Sequence, residues 1–179
     1  LVVIKLEEET RFFEEMGKSD ALGVVIRGLI YIEHELIELL TENLENPVAA
    51  KLNSLEYSAK VDLAVAIGLR PDLGKGLNAL GSLRNKLAHD LRAKVDTSAA
   101  NNAYKALAAV DKDIVQNTFA RVQKLNSPSP KTFSALEPLD QVRVLMVSLR
   151  QAVRAARRAS QAHREEVEAA LAAHRAAPS

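Results

Sequence analysis

Arg84, Asn85 and His89 stand inside the run Leu80-Gly-Ser-Leu-Arg-Asn-Lys-Leu-Ala-His-Asp90, where polar residues with chemical potential interrupt a strong helical apolar pattern. An imidazole has a reference pKa of about 6.5, so His89 can give or take a proton near neutrality. Arg84 offers a permanent cation with a planar fork of donors. Asn85, one turn before His89, offers an amide that can position the imidazole or an anionic oxygen. Together they suit a reaction in which a proton moves and negative charge develops on an oxygen. Other chemistries have little to work with. The chain contains no cysteine, which removes thiol nucleophiles, disulfides and zinc-thiolate sites. His34, His89, His163 and His174 lack metal-site spacing, and no serine sits in a nucleophile context. Neither a metal nor a cofactor is expected.

The elements that must position these groups follow from periodicity. Leu73, Leu77, Leu80, Leu83, Leu87 and Leu91 recur at three and four residues and form one apolar stripe on a helix running from Pro71 to Asp90 or Leu91. Asn78, Ser82, Asn85 and His89 form an uncharged polar stripe opposite it, suited to a wet cleft or a partner helix. Gly74, Gly76 and Gly81 weaken the helix as an isolated element and fit close approach of neighbouring chain. Five positions apart on a regular helix, Arg84 and His89 diverge by about 140°. Both can meet one phosphate if the helix frays or kinks near Ala88, or if the site is built across a two-fold axis from two chains.

The run Arg84-Asn-Lys-Leu-Ala-His89 resembles the arginine, four residues, histidine signature of the HEPN superfamily. The preceding stretch Leu52 to Leu69, a short turn, the leucine helix and the Asp90 that follows His89 are similar to the mannitol operon repressor branch of related proteins. The resemblance covers about Asp20 to Asp96 and makes residues 20–96 a HEPN-like core. It implies a small all-α domain that dimerises, with metal-independent endoribonuclease activity of a toxin–antitoxin or phage-defence type and a cognate inhibitor or regulatory protein as partner. It also implies the two-chain site, with His89 as base, Arg84 as the cation that stabilises a phosphorane, and a second histidine as acid. The alternatives are a non-catalytic regulator like the mannitol repressor and a helical adaptor. No helix-turn-helix recognition helix is legible, which argues against direct DNA reading.

Two charges fall inside apolar stripes. Arg84 lies among the leucines, and Glu33 lies on the stripe Leu22, Val25, Ile26, Leu29, Ile32, Leu36, Leu40 and Leu44 of a helix from Ala21 to about Glu45, capped by Ser19 or Asp20. A charge in such a place needs a partner. Glu33 is the first candidate to pair with Arg84, and Asp62, in line with Leu55, Ala59 and Ala66, is the second. Helices are expected also over Ile4–Met16, Leu55–Leu69, Ala99–Leu125 and about Leu139–Ala176, with residues 126–132 as a Ser/Pro-rich loop. Phe12 and Phe13 are each expected to tuck a ring into the body. No strand pattern of useful length occurs. The fold expected is an all-α antiparallel bundle of about five to six helices with a long C-terminal helix.

At 179 residues the chain suits a single domain, 1–179, and with 4% aromatic residues its core must come from Leu, Val, Ile and Ala, which favours helices. No apolar run is long enough to span a bilayer and no signal peptide pattern opens the chain, so the expected location is cytoplasmic, with no membrane partner. The chain starts at Leu1 rather than Met, which leaves room for preceding residues in the natural protein. A net charge of +1 gives no global pull towards nucleic acid, but charge is segregated: Gln141 to Arg175 carries seven arginines against three glutamates. Arg143, Arg150, Arg154, Arg157 and Arg164 share an arc of about 80° on the Ala/Arg-rich helix 139–176. That ridge is either a face paired with acidic residues or a track for an RNA phosphate backbone. Beyond Ala156 the helix has little to bury and is expected to project or to pack on a second subunit.

Overall fold

Asp20 starts the helix around which the others pack. Its carboxylate accepts the Gly23 N–H at 2.7 Å, answering one of the amide donors that a helix N-terminus leaves without an intrahelical partner. The spacing of Val25, Leu29, Ile32, Leu36 and Leu40 then carries α2 from Ala21 to Asn43 with all five side chains buried. The computed structural model describes residues 2–18, 20–90, 92–125 and 132–176. Among them are seven α-helices and no strand. The others are α1 (Val2–Lys18), α3 (Tyr57–Ala66), α4 (Pro71–His89), α5 (Thr97–Lys105), α6 (Ala109–Leu125) and α7 (Pro138–Ala176), with 3-10 turns at Leu52–Ser54 and Phe133–Ala135. The chain is an all-α bundle with a long C-terminal helix.

Contacts between the helices give their directions. Phe12 stacks edge-on against Tyr31 while Glu15 reaches Arg27, so α1 runs antiparallel to α2. Tyr57 meets Gly81 and Val65 meets Gly74, so α3 and α4 are antiparallel as well. The central pair differs. Gly28 lies against Met146, Glu35 against Arg150 and Glu42 against Arg157, so α2 and α7 run in the same direction. Between them Val142, Leu145, Met146, Leu149 and Val153 are buried, the core face that periodicity assigns to α7.

Several expectations are corrected. Residues 99–125 form two helices rather than one. The break at Ala106–Ala108 lets Leu107 insert against Gly76, where a Cβ would come within 2.5 Å of Leu107 Cδ2. The Ala108 carbonyl restarts the chain by accepting the Asp111 and Lys112 N–H groups, and the buried Asp111 carboxylate binds Arg70. The α1 helix does not stop at Gly17 but continues to Lys18. Phe12 is buried and Phe13 is half exposed, since neighbours on a helix point about 100° apart. The third helix is shorter than Leu55–Leu69, because Ile67 takes the C-cap and Gly68, at φ 115°, turns the chain towards Pro71. Residues 126–131 of the loop expected at 126–132, Leu91 and Ser19 lie outside the described residues.

Candidate functional site

Pro71 opens α4 at the position where its missing N–H costs nothing, and the helix runs unbroken through His89. Leu73, Leu77, Leu80 and Leu83 are buried, which turns Asn78, Ser82 and Asn85 outwards. These three, with Gly81 and Arg84, form one wall of a cleft of about 420 Å³, and Glu56, Tyr57 and Ser58 at the start of α3 form the other. Glycine at 81 decides how close the walls come: a Cβ there would stand 3.0 Å from two atoms of the Tyr57 ring. The Tyr57 hydroxyl donates to the Leu77 carbonyl at 3.2 Å. Burial, and secondarily the charge of Glu33, raise the pKa of Tyr57 far above that of a free phenol, while Arg84 opposes the shift. Tyr57 is therefore a fixed neutral donor and does not act as a base. The Ser82 hydroxyl is committed to the Asn78 carbonyl at 3.0 Å, within the helix itself.

Arg84 is half buried at this cleft. Among the described residues no carboxylate lies within ion-pairing distance of it. The expected pairing with Glu33 is replaced by another: Lys60 Nζ sits 2.5 Å from Glu33 Oε1 and donates to the Leu55 carbonyl at 2.7 Å. The Lys60 side chain is 3% exposed, so the ammonium leaves water almost completely and has the stronger claim on the acid. Asp62, the second candidate, is exposed on α3 and forms no ion pair among the described residues. Lys60 was legible on the wheel: it lies on the same face as Tyr57, Val61 and Ala64, all buried.

His89 is exposed at the last position of α4, where the Asp90 N–H bonds back to the Lys86 carbonyl at 3.1 Å. The helix is continuous from Pro71 through His89, and on a regular helix Arg84 and His89 diverge by about 140°. The cleft brings Arg84 and Asn85 together and leaves His89 outside. The other three histidines, His34, His163 and His174, are exposed on α2 and α7. No group of three or more His, Cys, Asp or Glu side chains among the described residues is arranged to hold a metal ion.

The arginine ridge is turned inward. Arg150 is 1% exposed, lies 3.1 Å from Glu35, and has its guanidinium carbon 4.5 Å from the Phe12 ring centre. Arg154 and Arg157 also reach Glu35, at 3.5 and 3.6 Å, and Arg157 adds Glu38 at 3.0 Å and Glu42 at 2.6 Å. The hydrogen bond from Glu42 raises the Arg157 pKa further above its already high ordinary value. Arg143 donates to the Met16 carbonyl at 2.9 Å and to Asp140 at 2.6 Å. Of the two readings of the ridge, the geometry is that of a face paired with acidic residues: a seam between α7 and α2, in which Glu35, Glu38 and Glu42 form a matching acidic stripe. A phosphate backbone on Arg150 would have to displace Glu35. The central acid, Glu35, escaped the sequence reading, although its spacing to Glu38 and Glu42 marks one helix face.

Comparison with known proteins finds no matching family model, no matching curated protein and no matching solved structure. No helix among the described residues is long and apolar enough to cross a membrane.

Proposed function

We propose that the α4 cleft is one half of a metal-independent endoribonuclease site of HEPN-like type, completed in a homodimer by His89 of a second chain. The observation that carries this reading is the cleft itself, which holds Arg84 and Asn85 with no carboxylate paired to the guanidinium among the described residues and does not include His89. In the reaction His89 takes the proton of a ribose 2′-hydroxyl, and the 2′-oxygen attacks the adjacent phosphorus. Arg84 stabilises the charge of the crowded phosphorane, with Asn85 positioning one of its oxygens. The histidine of the other copy protonates the departing 5′-oxygen. The products are a 2′,3′-cyclic phosphate and a 5′-hydroxyl end. RNA is then a substrate held at the cleft, and an inhibitory partner protein would act by covering it.

The test is incubation of purified protein with RNA in EDTA, with the ends of the fragments identified. Wild-type protein should cut, and Arg84→Ala and His89→Ala should each be inactive while keeping their helical content. Mixing the two inactive variants should restore a small part of the activity, since each mixed dimer keeps one Arg84–His89 combination across the interface, with water in place of the second histidine as the acid. Wild-type protein that leaves RNA untouched, or variants that cut undiminished, would sink the reading. Failure of the mixture to recover activity would remove the two-chain site. A second reading, a non-catalytic regulator or helical adaptor, is favoured by the far end of α7, where Val167 and Leu171 are exposed beyond the Arg164–Glu42 ion pair.

A further inference from the structure

Glu56 occupies the N-cap of α3, a position whose side chain ordinarily accepts an amide hydrogen of the first helical turn. It does not cap the helix, and it forms no ion pair or hydrogen bond among the described residues. Its carboxylate is exposed on one wall of the α4 cleft, and Arg84 lines the other. Tyr57 meets Gly81 where α3 and α4 run antiparallel, so Glu56 and Arg84 lie within about one helical turn of each other along the cleft. The side-chain amides of Asn78 and Asn85 line the same cleft and are likewise without a partner among the described residues. The cleft thus presents a cation, an acid and two amides, all uncommitted. A site for phosphate alone gains nothing from such an acid, because Glu56 repels the charge that Arg84 attracts. The occupant that satisfies both is an anion with hydrogen-bond donors a short distance away. At about 420 Å³ the cleft has the size of a small-molecule site.

We propose that Glu56 makes the cleft selective for guanine, its carboxylate taking the pairing edge of an unstacked guanine base while Arg84 holds the phosphate of the same nucleotide. A carboxylate accepts hydrogen bonds at two oxygens side by side. Guanine alone among the four RNA bases carries two adjacent donors on that edge, N1–H and N2–H, and they run parallel. Adenine and cytosine each set one amino donor beside a bare ring nitrogen, whose lone pair would face the second carboxylate oxygen. Uracil sets a single N–H between two carbonyls. The amides of Asn78 and Asn85, each both donor and acceptor, suit the guanine O6 and the ribose hydroxyls. In a duplex the pairing edge is taken, so the substrate class is single-stranded RNA with an accessible guanine beside the cut bond.

This selectivity rests on the ribonuclease reading for RNA as the ligand, and its first test needs no catalysis. The probes are the four nucleoside 3′-monophosphates, titrated by calorimetry into the full chain in EDTA. Guanosine 3′-monophosphate should bind about tenfold to a hundredfold more tightly than the adenosine, cytidine and uridine compounds, the discrimination of one bidentate base contact. Glu56→Gln should erase that preference, because an amide offers one donor and one acceptor and matches the other three edges instead. Glu56 is exposed, so the variant should keep the helical circular dichroism of the wild type. Arg84→Ala should weaken all four probes and leave guanosine ahead. Equal affinities in the wild type, or no binding of any probe, overturn the proposal. A Glu56→Gln variant that changes all four by one factor overturns it too, since that is the behaviour of a counter-charge to Arg84 or of a group acting on the 2′-hydroxyl. RNA cleavage decides the other reading separately. Guanosine-selective binding by a chain that leaves RNA uncut keeps Glu56 as selector, with a free guanine nucleotide as ligand, and removes the ribonuclease. Cuts spread evenly over all four bases keep the ribonuclease and remove the selector.

Discussion

Arginine occupies two regions of this molecule in opposite ways. On α7 the guanidinium groups of Arg150, Arg154 and Arg157 converge on Glu35, with Glu38 and Glu42 taking further contacts from Arg157. On α4 the guanidinium of Arg84 lies half buried beside neutral Asn78, Ser82 and Asn85, with Glu56 on the facing wall and no ion pair among the described residues. In sequence the two regions share an arginine set among apolar residues of a helix, single on α4 and repeated on α7. What separates them is the element across the way. A glutamate stripe on α2 turns one set into structure, and a wall whose one acid, Glu56, forms no ion pair with Arg84 leaves the other available to an anion brought from outside.

The largest effect expected from this contrast is at Glu35, whose side chain is 6% exposed against an Arg150 that is 1% exposed. Glu35→Gln removes the charge shared by three guanidinium groups, the buried Arg150 among them. Breaking one side of a buried pair costs about 3–5 kcal/mol, and the urea midpoint should fall accordingly. A cost below about 1 kcal/mol, the range of exposed pairs, would mean that the seam is solvated and the arginines of α7 are as available as Arg84.

Glu33→Gln comes next and sharpens the same comparison. Lys60 loses its acid but keeps the Leu55 carbonyl, and Glu33 is itself 31% exposed, so water can reach the site. A loss of about 1–3 kcal/mol, the penalty for a buried donor left poorly satisfied, is expected from urea denaturation. If the loss appears only when Lys60 is intact, and a Lys60→Met background abolishes it, the pair is the one seen here. If Arg84→Ala abolishes it instead, Glu33 serves the cleft.

How much of this was legible differs by level. Helix existence on α2, α4 and α7 follows from apolar spacing and holds in the structure, with the Asp20 and Asp96 caps each accepting a backbone N–H three residues on at 2.7 Å. The break between α5 and α6 was not legible, because Ala106, Ala108 and Ala109 are good helix formers. It is imposed from outside, by the seat that Gly76 offers Leu107 and by the bond between Asp111 and Arg70. At the site, the polar stripe Asn78, Ser82 and Asn85 was readable as one face because a single helix carries it. Partner choice was not. A wheel shows that Glu33 and Arg84 each need a partner, but only the start of α3 at Tyr57, and hence the height of Lys60 along α2, decides which group reaches Glu33 first.

The smallest expected effects make the most discriminating pair. Asp62 is exposed and without an ion pair among the described residues, so Asp62→Asn should change stability by no more than about 0.5 kcal/mol. Arg84→Ala is expected to stay close to it. No carboxylate is orphaned by the loss, and what disappears is the packing of the guanidinium stem against the cleft wall, about 1 kcal/mol or less for a half-buried side chain. The two variants should therefore be nearly indistinguishable in urea and entirely distinct in the RNA assay, where only Arg84→Ala loses function. A residue kept for folding gives the reverse order, with a large drop in the denaturation midpoint for Arg84→Ala. That result would place Arg84 with Arg150 as a structural cation and close the distance between the two regions on which the reading of the α4 cleft depends.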